Sequence, residues 1–145
     1  MSSEPNRGVK SFWLSVAIGA YTGVTLQFLL TSWYEPTDFS ELWAIPLILI
    51  IYGLFAVPFV ALGLAIFGLP VTHLLYRSAR KSWVGVIAIL WSAVAGKLLF
   101  FAVDHLMFFG QYEIAKIQLL DMGIIYGLPT GVAWWLLHRR ELIAI

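Results

Sequence analysis

Long apolar runs with few charges alternate with short polar stretches along this chain, and the runs have the length of helices rather than strands. About 20 apolar residues cross the hydrocarbon layer of a bilayer as a helix. Four stretches meet that length: 11–33, 42–75, 83–109 and 117–137. The pattern predicts an all-α membrane protein with four transmembrane helices in a compact bundle, forming one polytopic domain over 1–145. The first apolar run is too long for a signal-peptide core and no small-residue cleavage site follows it, so it is expected to be a retained span.

The second stretch is longer than a simple crossing needs. A straight helix over 42–75 would extend roughly 50 Å at 1.5 Å per residue, against about 30 Å of hydrocarbon. Pro46, Pro58 and Pro70 punctuate it, and an internal proline removes a backbone donor and kinks a helix. A tilted, bent helix is therefore expected, with its first turns in the outer interface.

Two short matches suggest an internal duplication into two parallel-repeat helical hairpins. Lys10-Ser11-Phe12-Trp13 opens the first span and Lys81-Ser82-Trp83 the third. Gly68-Leu69-Pro70 lies near the end of the second and Gly127-Leu128-Pro129 lies in the fourth, each followed by a histidine and an arginine (His73 and Arg77, His138 and Arg139). Small residues also recur at helical spacing: Ser15, Gly19 and Gly23 on the first span, Gly85, Ser92 and Gly96 on the third, and Gly123, Gly127 and Gly131 on the fourth. Helices in lipid associate through such faces, because close backbone approach replaces the hydrophobic drive. They predict a tightly packed bundle or a dimer seam.

Composition supports the bilayer. The 145 residues are 61% hydrophobic and only 12% charged, whereas soluble domains carry about 25% charged residues. A soluble domain of this size would still expose about a third of its chain's surface, too much for such a composition. The same composition argues against a nucleic-acid binder with a basic stripe, and the net charge of +1 gives no whole-molecule steering of acidic partners, so no nucleic acid is expected as a partner. Cysteine is absent, which removes disulfides and thiolate chemistry.

The distribution of charge says more than its total. Arg7, Lys10, Arg77, Arg80, Lys81, Arg139 and Arg140 fall on one side of the predicted spans, and Lys116 alone on the other, beside Glu113 and the acidic first loop (Glu35, Asp38, Glu41). Basic residues mark the cytoplasmic side. Both termini are expected in the cytoplasm, in a bacterial inner membrane. Trp13, Trp33, Tyr34, Trp43, Tyr76, Trp83, Tyr112, Trp134 and Trp135 sit where an interfacial aromatic belt belongs.

Ionisable groups inside a membrane are functional candidates by default. Lys97 lies fourteen residues after Trp83, near the midplane of the third span. Asp104 shares its helical face, and His105 points about a quarter-turn away. Gln27 lies in the outer half of the first span, at a depth comparable with Asp104. The expectation is that Gln27, Lys97 and Asp104 turn inward as a substrate- or ion-binding patch open to the outer side, with His105 beside it. The alternative is structural: Lys97 snorkels along its own methylenes, or a Lys–Asp pair fixes helix register. Asp121 shares a face with Ile125, Leu128 and Val132 and reads as a carboxylate at the membrane surface. His73 and His138 read as interfacial histidines, without the further ligands a haem or metal site needs.

No hydrolase, zincin, P-loop or dinucleotide motif occurs, and no cofactor or metal is expected. Three functions follow in order of support. The first is a non-enzymatic accessory, assembly or partner-binding membrane component. The second is a small ion- or solute-coupled carrier, a dimer or part of a larger complex, with a path around Lys97. The third is a lipid-modifying enzyme using Asp104, His105 and Asp121 as acid–base groups.

Overall fold

The computed structural model describes residues 5–34, 43–75, 82–107 and 121–143. Among these residues the secondary structure is helical throughout, apart from Asp121 at a helix start. The first helix, α1, covers Pro5–Tyr34. The second run comprises α2 (Ile45–Gly63), a π-helical turn (Leu64–Gly68) and α3 (Leu69–Leu75). They are followed by α4 (Ser82–Met107) and α5 (Met122–Ile143). Of the predicted fourth span, 117–120 lie outside the described residues, as do the charged groups of the three connections (Glu35, Asp38, Glu41, Arg77, Arg80, Lys81, Glu113 and Lys116).

Three of the helical runs are long and apolar enough to cross a membrane: Gly8–Trp33, Ile45–Leu74 and Trp83–Leu106. Their side chains are distributed as lipid requires. The buried positions are mostly small, including Ser15, Val16, Ala20, Ala95 and Ala133, while Leu29, Ile50, Leu54, Phe55, Val86 and Leu90 are more than half exposed. An apolar surface of this extent is one that faces lipid or a partner, not water. The helix α5 is less apolar, with Gly127, Pro129, Thr130 and Gly131 at its centre.

Glycines set the arrangement. Helix α5 is flanked by α1 on one side and α4 on the other, and α2 lies against α1. Contacts between α1 and α5 run in opposite chain directions. Phe12 meets Trp134 edge-on, Gly19 sits on Thr130, Gly23 on the Tyr126 ring, and Gln27 reaches Met122 and Tyr126. The α4–α5 seam is closer still. Gly96 lies directly on the backbone of Gly123 and Gly127, and Gly131 lies on Ser92. The glycine faces recognised in the sequence thus lie within this one chain, between its own helices.

The long second run remains continuous, as its apolar pattern predicts, and the π-helical turn within it has an identifiable origin. In a regular α-helix the Pro70 ring would meet the carbonyl four residues back, and Pro70 offers no N–H. The preceding turn widens to π register, where the Leu69 N–H donates to the Leu64 carbonyl. Carbonyls around the widened turn are then served by side chains. Trp91 Nε1 donates to the Phe67 carbonyl at 3.2 Å, and the Thr72 hydroxyl donates to the Gly68 carbonyl at 2.7 Å. Trp134 Nε1 in turn donates to the Thr72 hydroxyl at 2.8 Å, so one tryptophan from α4 and one from α5 brace the widened turn.

Side-chain hydrogen bonds between membrane helices average about 0.6 kcal/mol in double-mutant cycles. Trp134→Phe and Thr72→Val should each lower stability by about 1 kcal/mol, and the double variant should cost less than the two together. Unfolding in mixed micelles over a dodecyl sulfate gradient measures all three; strict additivity would mean the two groups act separately.

Candidate functional site

Two polar centres lie inside the bundle, and both are built on the first two turns of α5 and its cap. The Asp121 side chain accepts from the backbone N–H groups of Gly123 at 3.1 Å and Ile124 at 3.4 Å. It is therefore the N-cap of α5, satisfying donors that a helix start leaves without intrahelical partners. Its other oxygen lies 2.9 Å from Lys97 Nζ, and the side chains of Lys97 and Asp121 are 12% and 2% exposed. The ion pair is buried. Its carboxylate sits where the helix dipole favours negative charge.

One turn further, Tyr126 donates its phenolic O–H to Gln27 Oε1 at 2.7 Å, and Gln27 Nε2 donates to the Met122 sulfur at 3.8 Å. The start of α5 therefore ties α1 through Gln27 and α4 through Lys97 at one level of the bundle. Lys97 is ten residues before the last described residue of α4, roughly 15 Å along the helix. Asp121 consequently lies well below that end of α4, not at the surface.

These positions correct the sequence-based expectation in two ways. Asp121 is the close carboxylate partner of Lys97, not a membrane-surface group. Gln27 lies level with the Lys97–Asp121 pair, not with Asp104, which is about two turns further along α4. Asp104 is half-buried. His105 is exposed and stacks on Phe101, with ring centroids 5.8 Å apart. His73 is exposed, whereas His138 is half-buried and stacks on Trp134 at 4.7 Å. Among the described residues no three His, Asp or Glu side chains come together as a metal site.

Beside these centres the bundle carries a cleft. Between the α2–α3 run and the α4–α5 pair lies a cavity of about 540 Å³. Its walls are mainly apolar and aromatic, among them Phe55, Phe59, Trp91, Leu99, Phe100 and Trp135. Polar groups in its lining include Gln27, Asp104 and Tyr126 towards one end and Thr72 and His138 towards the other. Lys97 and Asp121 are not among its lining residues. Gln27 and Asp104 thus share the cleft, while Lys97 is held behind its α4–α5 wall. The cleft itself has no signature in the sequence, because it is formed between helices distant along the chain. The polar contacts of Tyr126, Thr72 and Trp134 also escape a reading of the sequence. The one available signal is that a buried phenol, hydroxyl or indole needs a hydrogen-bond partner.

Comparison with known proteins gives no match to a family model, a curated protein or a solved structure, so the site stands on its own geometry.

Proposed function

We propose that this chain is a four-span inner-membrane protein with both termini in the cytoplasm, acting as a non-enzymatic component that binds a hydrophobic partner within the bilayer. The fourth crossing is α5, flanked by α1 and α4. That shielding relaxes its need for an apolar surface. The seven basic residues grouped near 7–10, 77–81 and 139–140 support the orientation.

The observation that carries the binding function is the cleft: about 540 Å³ of mainly aliphatic and aromatic wall, against a scaffold made rigid by glycine contacts. Ligand sites are concave and mostly apolar, with a few placed polar groups, and this one has that character. The carrier path through Gln27, Lys97 and Asp104 receives less support, because Lys97 is committed to Asp121 at 2.9 Å and does not line the cleft. Acid–base chemistry by Asp104, His105 and Asp121 receives less again. Asp121 is bound to Lys97 and the cap N–H groups, and His105 is exposed and stacked on Phe101.

Native mass spectrometry of the chain released from its membrane in mild detergent tests the proposal. The wild type should retain an apolar adduct, and Ala88→Trp, which places a large ring in the cleft, should lose it without unfolding. Equal occupancy in both proteins, or a bare wild-type chain, would overturn the reading.

A further inference from the structure

We infer that the cleft selects uncharged, lipid-soluble molecules that carry a carbonyl oxygen, which accepts a hydrogen bond from Gln27 Nε2. The inference rests on the cleft being a binding site for an apolar molecule, as proposed above, and it names the chemical class.

Polar side chains along the lining give their hydrogens to protein oxygens. Thr72 donates to the Gly68 carbonyl, Trp91 to that of Phe67, Ser92 to that of Ile89 and Thr130 to that of Tyr126, all at 2.6–3.2 Å. Asp104 has an interaction of its own within the protein and plays no part in this recognition. Gln27 differs from these donors. A carboxamide has two N–H donors and one acceptor oxygen. Gln27 Oε1 accepts from the Tyr126 phenol at 2.7 Å, while Nε2 faces the Met122 sulfur at 3.8 Å. Chemistry dictates that orientation, because a thioether accepts weakly and has no hydrogen to give. The edge of the amide towards Met122 must therefore be its NH2 group, and the phenol holds the other edge. One long contact to sulfur is little for two hydrogens. Gln27, Met122 and Tyr126 all line the cleft, so this donor capacity is offered to its guest.

The guest that matches is an acceptor without a charge. A carbonyl oxygen has lone pairs for Nε2–H and no hydrogen that would need an acceptor in return. Met122 is 37% exposed and its unbranched side chain adapts readily, so oxygen can take the place of sulfur at the amide. A neutral amide does not offset the dehydration of a carboxylate in an apolar cleft, and an ammonium would meet hydrogens of its own sign. A pure hydrocarbon fits the walls but leaves the amide on sulfur. Aliphatic and aromatic surfaces such as Phe59, Leu99 and Phe100 take the rest of the molecule.

The test uses the full chain in nanodiscs of an ether-linked zwitterionic lipid, which has no ester carbonyl to compete. The probes are a brominated long-chain ketone, carbon-13 labelled at its carbonyl, and the equally brominated alkane of the same length. Bromine quenches the cleft tryptophans on contact, and saturable quenching gives both affinities. The wild type should bind the ketone about fivefold more tightly than the alkane, equivalent to about 1 kcal/mol, as one net hydrogen bond gives. The labelled carbonyl stretch should fall in frequency on binding. Gln27→Leu should abolish the preference and the frequency shift while alkane binding persists, which also shows that the variant is folded. Gln27→Met, unbranched like glutamine and without a donor, should do the same and provides the reading where the leucine variant fails to fold. Equal binding of ketone and alkane by the wild type, or a preference and shift that survive either variant, would overturn the carbonyl assignment while leaving an apolar site intact. Absence of saturable quenching by both probes would overturn the binding function as well.

Discussion

Asp121→Ala should be the most destabilising polar substitution in the bundle. It removes the carboxylate 2.9 Å from a lysine that is 12% exposed, and breaking a buried ion pair from one side costs about 3–5 kcal/mol. It also removes the acceptor of the Gly123 and Ile124 N–H groups, and loss of an N-cap adds about 1 kcal/mol. Asp121→Asn separates the two effects, because asparagine caps as well as aspartate; it should recover only the smaller part. Lys97→Met should cost less than Asp121→Ala. In that variant Asp121 keeps two backbone donors and the positive end of the α5 dipole. The double variant K97M/D121N retains a cap and leaves no buried charge without its partner. It should lie closer to wild type than D121A, since neutral replacement of a whole buried pair is often tolerated. Unfolding free energies in mixed micelles give this order, and a loss below about 1 kcal/mol for D121A would contradict a buried pair.

The same residue shows where sequence reasoning succeeds and where it stops. Charge and apolar length identify the long helices and the continuity of 45–75, because those properties are summed along one segment. The glycine spacings likewise mark the faces that meet. Asp121 is misplaced because the apolar run extends back to Ile117, which puts the residue on a face inside a helix. A cap lies just outside the first helical turn, and its side chain folds back onto the N–H groups there; helical-face arithmetic does not apply to it. The signal is present in the residue type, as aspartate is among the preferred caps, but the apolar run conceals the boundary. Asp104 shares a helical face with Lys97 in the sequence, yet a neighbouring helix brings Asp121 to 2.9 Å. Pairing between helices depends on register, which a single sequence does not print. The cleft is a further step removed. It depends on how the second helical run packs against α4 and α5, through tertiary contacts such as Trp91 to the Phe67 carbonyl.

Gly96→Val should be as damaging as loss of the ion pair, and partly for the same reason. A Cβ on Gly96 would fall on the Gly123 carbonyl oxygen, and one on Gly123 would lie 2.6 Å from the backbone N and Cα of Lys97. Backbone cannot rotate aside as a side chain does, so α4 and α5 must separate. Overpacking alone costs about 1–3 kcal/mol, and separation at this level also stretches the contact between Lys97 and Asp121. The expected loss exceeds about 3 kcal/mol. Gly63→Ala provides the contrast, since its Cβ would meet only the end of the flexible Leu99 side chain, at 3.0 Å, and should cost under about 1 kcal/mol. Coupling then distinguishes a general packing defect from a disrupted ion pair. If Gly96→Val acts partly by pulling Lys97 from Asp121, then adding Asp121→Ala should cost clearly less than it does in the wild type, because residues in one network are not additive. Full additivity of the two substitutions would show that the seam and the ion pair are energetically independent, despite lying on adjacent residues of α4.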